Sequence, residues 1–179
     1  NNFGSIKYLI DESQEIAKKY GAVCTPDFFG YNKDLELQYR GRFKELKDLT
    51  DHINNEGFKA SYEVLDVNND DEVSAFINNA EPFDILINNA GTNRPAKLID
   101  TKIEDFDYVM SLNVRSVISL TKLVVKKMLD SNIKGSIINV SSQMGHVGGP
   151  NRTTYCSSKF AIEGFTKSLA IELGPDGIR

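Results

Sequence analysis

Short apolar runs that end in polar residues are the feature that most limits what this chain can fold into. "FDILINNAG" at 83–91 and "GSIINVSS" at 135–142 are compact and rich in Ile, Leu and Val, as is typical of strands buried on both faces. "KASYEVLDV" at 59–67 predicts a third strand. Helical patterns stand between and after these strands, at 70–79, 100–113, 114–129 and 154–173. This alternation predicts an α/β fold with a doubly wound parallel sheet, covered by helices on both faces.

The helical patterns carry signals for their ends and for their burial. Thr101 and Glu104 stand at capping-box spacing, so we expect a helix to begin there. The segment 114–129 is apolar on nearly every side, which predicts burial on more than one of its faces. Gly174-Pro175 ends the last helix. The apolar stripe of that helix consists of Ala161, Phe165, Leu169 and Leu173.

Residues 1–43 do not share this alternation. A polar helix is predicted from Asp11 to Tyr20. After Thr25-Pro26, two β-prone runs flank Asn32-Lys33-Asp34, which predicts an antiparallel hairpin. A doubly wound sheet begins instead with parallel strands and a helical crossover. The architecture is therefore expected to change near residues 41–45.

The composition argues against several classes of function. A net charge of −4 and a pI near 5.3 disfavour a nucleic-acid partner, because phosphate neutralisation needs clustered Lys and Arg. No apolar run approaches the length of a bilayer span, so we expect no membrane partner. The two cysteines, Cys24 and Cys156, lie far apart and have no metal-ligand spacing. We expect reduced thiols, no metal site and a cytoplasmic protein.

Four polar groups follow the predicted strands or lie on the helices beside them. They are Asn88-Asn89-Ala90-Gly91, Asn113, Ser141-Ser142 and the pair of Tyr155 and Lys159. Ligands bind at the carboxyl ends of the strands in an open α/β sheet, so we expect the four groups to form one site. Each group alone has an ordinary explanation as a loop, a cap, a turn or a surface pair.

Tyr155 and Lys159 stand one helical turn apart and therefore on one face of their helix. A free tyrosine has a pKa of about 10, and a nearby ammonium group favours the phenolate form that acid–base catalysis needs. Ser142 can then hydrogen-bond a carbonyl oxygen that becomes an alkoxide. Asn113 can anchor a water beside Lys159 and extend a proton path to solvent. The set predicts carbonyl reduction or alcohol oxidation.

On these residues the chain resembles the short-chain dehydrogenase/reductases. The matching pieces are "NNAG" at 88–91, "LNV" at 112–114, "NVSS" at 139–142 and "YCSSK" at 155–159. The resemblance covers 44–179 and implies a Rossmann-type fold, NAD or NADP as the cofactor, a small carbonyl or alcohol substrate, and a homo-oligomer.

The resemblance also implies a catalytic tetrad. Tyr155 is the acid/base, Ser142 orients the carbonyl, and Lys159 binds the ribose and stabilises the phenolate. Asn113 holds the water of the proton relay. The implied cofactor-binding residues are Asp66 beside the adenine ring, Asn88, Ala90 and Gly91 in the turn, and Tyr155 and Lys159.

The chain departs from the family at both ends. The glycine-rich TGxxxGxG loop is absent, and with it go the helix end that binds pyrophosphate and the residue that selects NAD or NADP. We therefore expect 44–179 to be a partial domain without the first βαβ unit and the last strands.

Residues 1–43 resemble a different family, the C-terminal half of a peroxiredoxin-like thioredoxin-fold protein. There a cis Thr-Pro precedes a hairpin, and Pro26 takes the place of that proline. The chain is then two family fragments joined near residue 43, and an unrelated helix-plus-hairpin extension is the alternative. For function, the alternatives to an oxidoreductase are a non-catalytic chimeric fragment and a thiol redox protein.

Two more residues near the expected site have open roles. Arg94 follows the NNAG turn, and it either favours a carboxylate or phosphate substrate or is a solvated loop residue. His146 follows Ser142, and it either lines the pocket or has no part in the site.

Overall fold

A computed structural model describes residues 30–31, 37–39, 43–61 and 63–179. Three predictions, the helix at 11–20 and the roles of Cys24 and Pro26, lie outside these residues. The hairpin is described in part, with strand β1 (Gly30–Tyr31) antiparallel to strand β2 (Leu37–Tyr39). The antiparallel pairing predicted for this segment is therefore confirmed.

Helices α1 (Phe43–Asn55) and α2 (Asp70–Asn79) follow the hairpin. Helix α2 occupies the range that the sequence predicted. Asn69 caps it, because its side-chain oxygen accepts two backbone N–H groups of the first turn. Val73 and Ile77 lie one turn apart and both face the core, so α2 is held to the rest of the chain along one side.

Strands β3 (Ile85–Asn88) and β4 (Ser136–Asn139) form a parallel pair that is in register along its whole length. Both strands lie within the runs predicted from the sequence. Arg179 extends the pairing on the far side of β4, since its carbonyl accepts the N–H of Ile137 at 2.7 Å and its N–H donates to Gly135 at 3.1 Å. The predicted parallel sheet is confirmed for this part of the chain.

Two expectations about the sheet are wrong for the described residues. The strand predicted at 59–67 is not formed in the described part of that segment, where only Ala60 makes a strand-like bridge. A strand needs a neighbour that pairs with its backbone groups, and the described part of 59–67 is not paired with β3 or β4. Ile138 on β4 is 47% exposed, so the described helices do not cover both faces.

Helix α3 (Ile103–Met110), a π-helical turn (Ser111–Arg115) and helix α4 (Ser116–Asp130) form one continuous helical stretch. The capping box predicted at Thr101 is wrong. Thr101 closes a preceding 3-10 turn, and its hydroxyl donates to the carbonyl of Lys97 at 3.0 Å. Helix α3 begins two residues later, with Lys102 at its N-cap position and no side-chain cap hydrogen bond.

The stretch from Ile103 to Asp130 is 28 residues long, and by length and composition it could cross a membrane. The sequence shows two shorter runs here, which the π-helical turn joins into one helix. One such helix is weak evidence for a membrane span, since the core helix of a globular protein has the same length and composition.

The fully buried residues of α4 lie along one side, and Leu120, Leu123 and Val125 beside them are partly buried against the core. Its buried residues include Val117, Thr121, Val124 and Met128. Ile118 and Leu129, on other sides, are 42% and 41% exposed. The prediction that this helix is buried on more than one face is therefore wrong for the described part of the chain, whose other helices leave these side chains open to solvent.

Helix α5 (Thr153–Leu173) confirms the last predicted helix, and a short 3-10 turn follows it at Gly174. Of the predicted apolar stripe, only Leu173 is fully buried. The buried side of α5 also carries Ser158, Lys159 and Ile162, because this side faces the strand ends. The hydrophobic core lies between α2, α4 and the end of α5, and consists of Val73, Ile77, Phe83, Val124, Met128, Leu173 and Ile178.

Candidate active site

The carboxyl ends of β3 and β4 lie side by side, because the two strands are parallel and in register. Asn88, the last residue of β3, is buried and donates from Nδ2 to Thr121 Oγ1 and to Asn139 Oδ1, both at 2.8 Å. Asn139 in turn donates to Thr166 Oγ1 at 2.9 Å. These bonds tie α4, both strands and α5 together, and they use both amide hydrogens of Asn88 inside the protein.

Asn113 lies in the π-helical turn and is 1% exposed. Its Oδ1 accepts the N–H of Thr92 at 2.7 Å, and its Nδ2 donates to the carbonyl of Thr92 at 2.9 Å. The second hydrogen of Nδ2 goes to Ser158 Oγ at 2.9 Å. Turns of this type are frequent at functional sites. Here the turn holds the loop after Gly91 against α5.

Tyr155 and Lys159 lie one turn apart on α5. Lys159 Nζ is 5.7 Å from the centre of the Tyr155 ring, and it donates to the carbonyl of Val140 at 2.8 Å. Burial lowers the pKa of Lys159 below its usual value of 10.5, because removal from water disfavours the charged form. Since Val140 directly follows β4, this one bond fixes the ammonium group at the end of the sheet.

Gly91 leaves open the space between these groups. A Cβ atom at this position would lie 3.4 Å from Asn113 Oδ1 and 3.7 Å from Lys159 Nζ. Asn113 and Lys159 therefore border one small volume above the backbone of Gly91. Among the described residues, Lys159 Nζ has one hydrogen-bond acceptor, which leaves two of its three hydrogens for a ligand.

Ser142 stands where the chain leaves β4 and enters a 3-10 turn that packs against α5. Its Oγ accepts the N–H of Met144 at 3.2 Å, so its own hydrogen is free to donate to a ligand. The turn approaches α5 closely because Gly145 has no side chain. A Cβ there would lie 2.6 Å from Ser141 Oγ and 3.2 Å from the carbonyl of Lys159.

Asp66 belongs to a second cluster, before α2. Its Oδ1 accepts the N–H of Asn68 at 2.9 Å. This loop is tied twice to the π-helical turn, since Ser111 donates to Asn68 Oδ1 at 2.9 Å and Arg115 forms an ion pair with Asp70. Hydrogen bonding to Arg115 lowers the pKa of Asp70 below its usual 3.8. The loop that carries Asp66 is therefore attached to the turn that carries Asn113.

An apolar groove connects these regions along β3. It reaches from Leu65 and Val67, next to Asp66, to Asn88 and Ala90 at the end of β3. Asn89 also lines it, and the buried Nδ2 of Asn89 has no hydrogen-bond partner among the described residues. The groove thus runs from the two neighbours of Asp66 in sequence to the predicted turn beside the cofactor.

The structure brings four predicted site residues together: Gly91, Asn113, Tyr155 and Lys159. Ser142 lies on the turn that packs against the same helix. The sequence analysis missed two residues, Thr92 and Ser158, which complete the hydrogen bonds of Asn113. The available signal was weak, since each is only a small polar residue next to a predicted site residue.

Arg94 and His146 each have a protein partner. Arg94 donates to Thr92 Oγ1 at 3.0 Å, and its guanidinium lies 3.8 Å from the carboxylate of Asp105 and 5.1 Å from the Tyr108 ring centre. His146 Nε2 lies 3.4 Å from a carboxylate oxygen on α5. Within the described ranges, no group of three or more His, Cys, Asp or Glu residues is arranged to hold a metal ion.

Comparison with known proteins gives consistent results. Residues 31–179 match the family model for short chain dehydrogenase. A 3-oxoacyl-(acyl-carrier-protein) reductase of Buchnera aphidicola subsp. Baizongia pistaciae is 35% identical over 136 residues, which make up 75% of this chain and 55% of that protein. Carbonyl reductase (NADPH) 2 of Sus scrofa is 42% identical over 98 residues, or 55% of this chain and 40% of the relative.

A solved structure agrees with the fold. A gluconate 5-dehydrogenase from Burkholderia cenocepacia J2315, in complex with NADP and tartrate, superposes with a TM-score of 0.73 at 27% identity. The superposition covers 82% of this chain and 58% of the dehydrogenase. The arrangement of strands and helices described above is therefore that of a Rossmann-type dehydrogenase.

The chain spans about half the length of the curated relatives it matches. The family match begins at residue 31, inside the hairpin, and not at residue 44. The domain boundary near 43 and the thioredoxin-like interpretation of 1–43 stay predictions. Because the match runs from 31 to 179 and the fold agrees with it, the chain belongs to the short chain dehydrogenase family.

Proposed function

We propose that this chain forms the catalytic part of an NAD(P)-dependent oxidoreductase, which interconverts a carbonyl compound and a secondary alcohol. The observation that carries the proposal is the placement of Asn113 and Lys159 around the open space at Gly91, with Tyr155 one turn from Lys159. Membership of the family and the reductase names of the relatives support it.

The residues present fit the ribose and ring of a nicotinamide cofactor. Lys159 has two hydrogens left for ribose hydroxyls, and Gly91 lets a flat ligand approach the backbone. Asp66 and the groove along β3 are available to the adenine half. Structures similar to this chain hold NADP or NADH, so both cofactors stay open. When bound, the cofactor supplies or accepts the hydride.

The proton is the part of the reaction that this chain handles itself. In reduction, the Tyr155 hydroxyl gives its proton to the substrate oxygen, while Ser142 donates a hydrogen bond to the same oxygen. The ammonium group of Lys159 stabilises the resulting phenolate. A positive charge this close to the ring favours the phenolate form over the neutral one. Because Val140 already holds Lys159, little rearrangement accompanies the step.

Asn113 completes the path by which the proton is replaced. Both hydrogens of its amide are used, but Oδ1 accepts one hydrogen bond and keeps a second lone pair. That oxygen borders the same space as Lys159 Nζ. A water that bonds both atoms would connect the ammonium group to solvent.

The substrate is a small carbonyl or alcohol compound. The guanidinium of Arg94 lies 3.8 Å from Asp105 and donates to Thr92. A guanidinium that is paired in this way attracts an anion less than a free one does. We also propose a cytoplasmic location, because the two cysteines show no disulfide or metal-ligand pattern.

We propose further that the chain forms a homo-oligomer through α4 and α5. The two helices border an apolar depression that includes Ile118, Leu129, Phe165 and Leu169. Lysine and acidic residues stand at its rim, so a second copy related by a two-fold axis offers complementary charges. The variant that carries Ile118→Ser and Leu129→Ser should contain a smaller fraction of oligomer than the unaltered chain, as measured by sedimentation.

Titration of the purified chain with NADH and with NADPH, followed by nicotinamide fluorescence, tests the central proposal. We expect saturable binding, and turnover with a panel of ketones and secondary alcohols. Tyr155→Phe should keep binding but lose at least about 100-fold in kcat, the contribution typical of general acid catalysis. The matched control is Tyr108→Phe, which keeps a ring under Arg94 and should turn over normally. A folded chain that binds neither cofactor would be a non-catalytic member of the family.

A further inference from the structure

Ser158 is a fully buried residue, at 0% exposure, between Tyr155 and Lys159. Its hydroxyl takes part in two hydrogen bonds. It accepts from Asn113 Nδ2 at 2.9 Å and donates to the carbonyl of Tyr155 at 2.8 Å. Because a hydroxyl has one hydrogen, and the Tyr155 carbonyl takes it, the direction of both bonds is fixed.

Asn113 depends on Ser158 for one of its three bonds. Its other two go to the backbone N–H and carbonyl of Thr92, in the loop after Gly91. The amide therefore joins three segments that are distant in sequence: that loop, the π-helical turn and the first turns of α5. Without the Ser158 oxygen, a buried amide hydrogen would have no partner, and α5 would lose its link to Thr92.

A second anchor of this helical turn lies on the other side of the site. Lys159, the next residue, donates to the carbonyl of Val140 after β4. Ser158 and Lys159 thus attach the same helical turn to the two strand ends, one through Asn113 and one directly. Asn113 Oδ1 and Lys159 Nζ both border the space at Gly91. If this helical turn shifts away from Asn113, Lys159 Nζ therefore moves relative to Gly91 as well.

We propose that Ser158 is a positioning residue, which holds the helical turn of Tyr155 and Lys159 in place against Asn113 and the loop at Thr92. The proposal rests on the proposed oxidoreductase function for its effect on the reaction. Its effect on Asn113 and Thr92 is independent of any reaction. Misplacement of a catalytic group by about 1 Å is enough to slow a reaction severely.

The neighbouring Ser157 provides a matched control. It lies on the same helix, is exposed, and donates to a helix carbonyl, that of Thr153, at 2.9 Å. It has no bond to Asn113. Ser157→Ala and Ser158→Ala therefore remove the same kind of intrahelical bond, and only Ser158→Ala breaks the link to the π-helical turn.

The first test measures amide hydrogen exchange at Thr92 by NMR, without cofactor or substrate. The Thr92 N–H is protected by Asn113 Oδ1 at 2.7 Å. We expect Ser158→Ala to speed its exchange by about tenfold, the equivalent of ~1.4 kcal/mol, and Ser157→Ala to leave it unchanged. Equal exchange at Thr92 in the two variants would overturn the proposal.

The second test measures turnover well below the unfolding temperature of each variant. We expect Ser158→Ala to lower kcat by about tenfold with KM for the carbonyl substrate within about twofold, the pattern of a lost transition-state interaction. Asn113→Ala combined with Ser158→Ala should be no slower than Asn113→Ala alone, because Ser158 acts through Asn113. The role would be refuted if the losses of kcat in Ser158→Ala and Asn113→Ala multiply in the double variant. It would also be refuted if Ser158→Ala had the same kcat as Ser157→Ala.

Two outcomes need separate treatment. If Ser158→Ala does not fold, Ser158→Cys carries the same comparison, since its sulfur fills the space but accepts hydrogen bonds weakly. If the unaltered chain shows no turnover with any substrate, the proposed function fails. The positioning role of Ser158 is then decided by amide hydrogen exchange at Thr92 alone. Faster exchange in the Ser158 variant then supports the positioning role, and unchanged exchange removes it.

Discussion

The hydrogen bond between Asn88 and Thr121 offers a direct measure of how firmly the end of β3 is held to α4. Thr121 is buried, and its Oγ1 accepts from Asn88 Nδ2 at 2.8 Å. Thr121→Val keeps the shape of the side chain but leaves a buried amide hydrogen unpaired, which costs about 1–3 kcal/mol of unfolding free energy. Asn88→Ala also breaks the bond to Asn139, so we expect a loss of about 2–4 kcal/mol.

The double variant separates this bond from the rest of the loss. Once Asn88 is Ala, Thr121→Val leaves no amide unpaired, so the two losses should fall short of additivity by about 1–2 kcal/mol. Urea unfolding followed by circular dichroism gives each free energy, with similar m-values as the check on two-state behaviour. The control is the double variant of Asn88→Ala and Thr101→Val. The Thr101 hydroxyl bonds the carbonyl of Lys97 in its own turn, so these two losses of free energy should add. If the losses of unfolding free energy for Asn88→Ala and Thr121→Val add to within about 0.5 kcal/mol, the reasoning is refuted.

Three other changes test the site and its surroundings. Gly91→Ala places a methyl group 3.4 Å from Asn113 Oδ1; we expect the fold to persist and the affinity for NADPH in the fluorescence titration to fall about tenfold, and an unchanged affinity would show that the space is not used. Because burial lowers the pKa of Lys159, the folded state binds this proton less tightly than the unfolded state. The free energy of unfolding, measured with urea, should therefore rise with pH in the window below 10.5, and this rise should be absent in Lys159→Met. Equal dependence of the unfolding free energy on pH in the two proteins would contradict the prediction. Because Arg115 lowers the pKa of Asp70, the stabilisation by this pair is present above pH 3.8 and lost as the pH falls below it. Asp70→Asn should therefore narrow the difference in unfolding free energy between neutral and acid solution. An unchanged difference in unfolding free energy would count against the pair.

Local patterns were sufficient for most of the helices. Helix α2 has its cap, its acidic first turn and its two core residues within one short segment, and α5 ends at Gly174-Pro175. Such features depend on neighbours three or four residues away, so a sequence shows them directly. The candidate site was predictable for a related reason. Polar residues directly after buried strands come together in any parallel sheet, whatever the details of packing.

The errors arose where a segment depends on a distant partner. Residues 59–67 have the composition of a strand, but a strand forms only when another backbone pairs with it. Thr101 has the spacing of a cap, but α3 begins at Ile103 with Lys102 at its N-cap position. The apolar sides of α4 predicted burial, and only the packed structure shows that Ile118 and Leu129 stay exposed.

By itself, the sequence determined helices α2 and α5, strands β3 and β4, and the residues that could carry proton transfer. Those properties follow from side-chain chemistry and short-range periodicity. The tertiary structure decided which atoms meet. Asn113 bonds Thr92, 21 residues before it, and Ser158, 45 residues after it. No pattern of either segment reveals these contacts, because they exist only when the loop, the π-helical turn and α5 are packed on the same sheet edge.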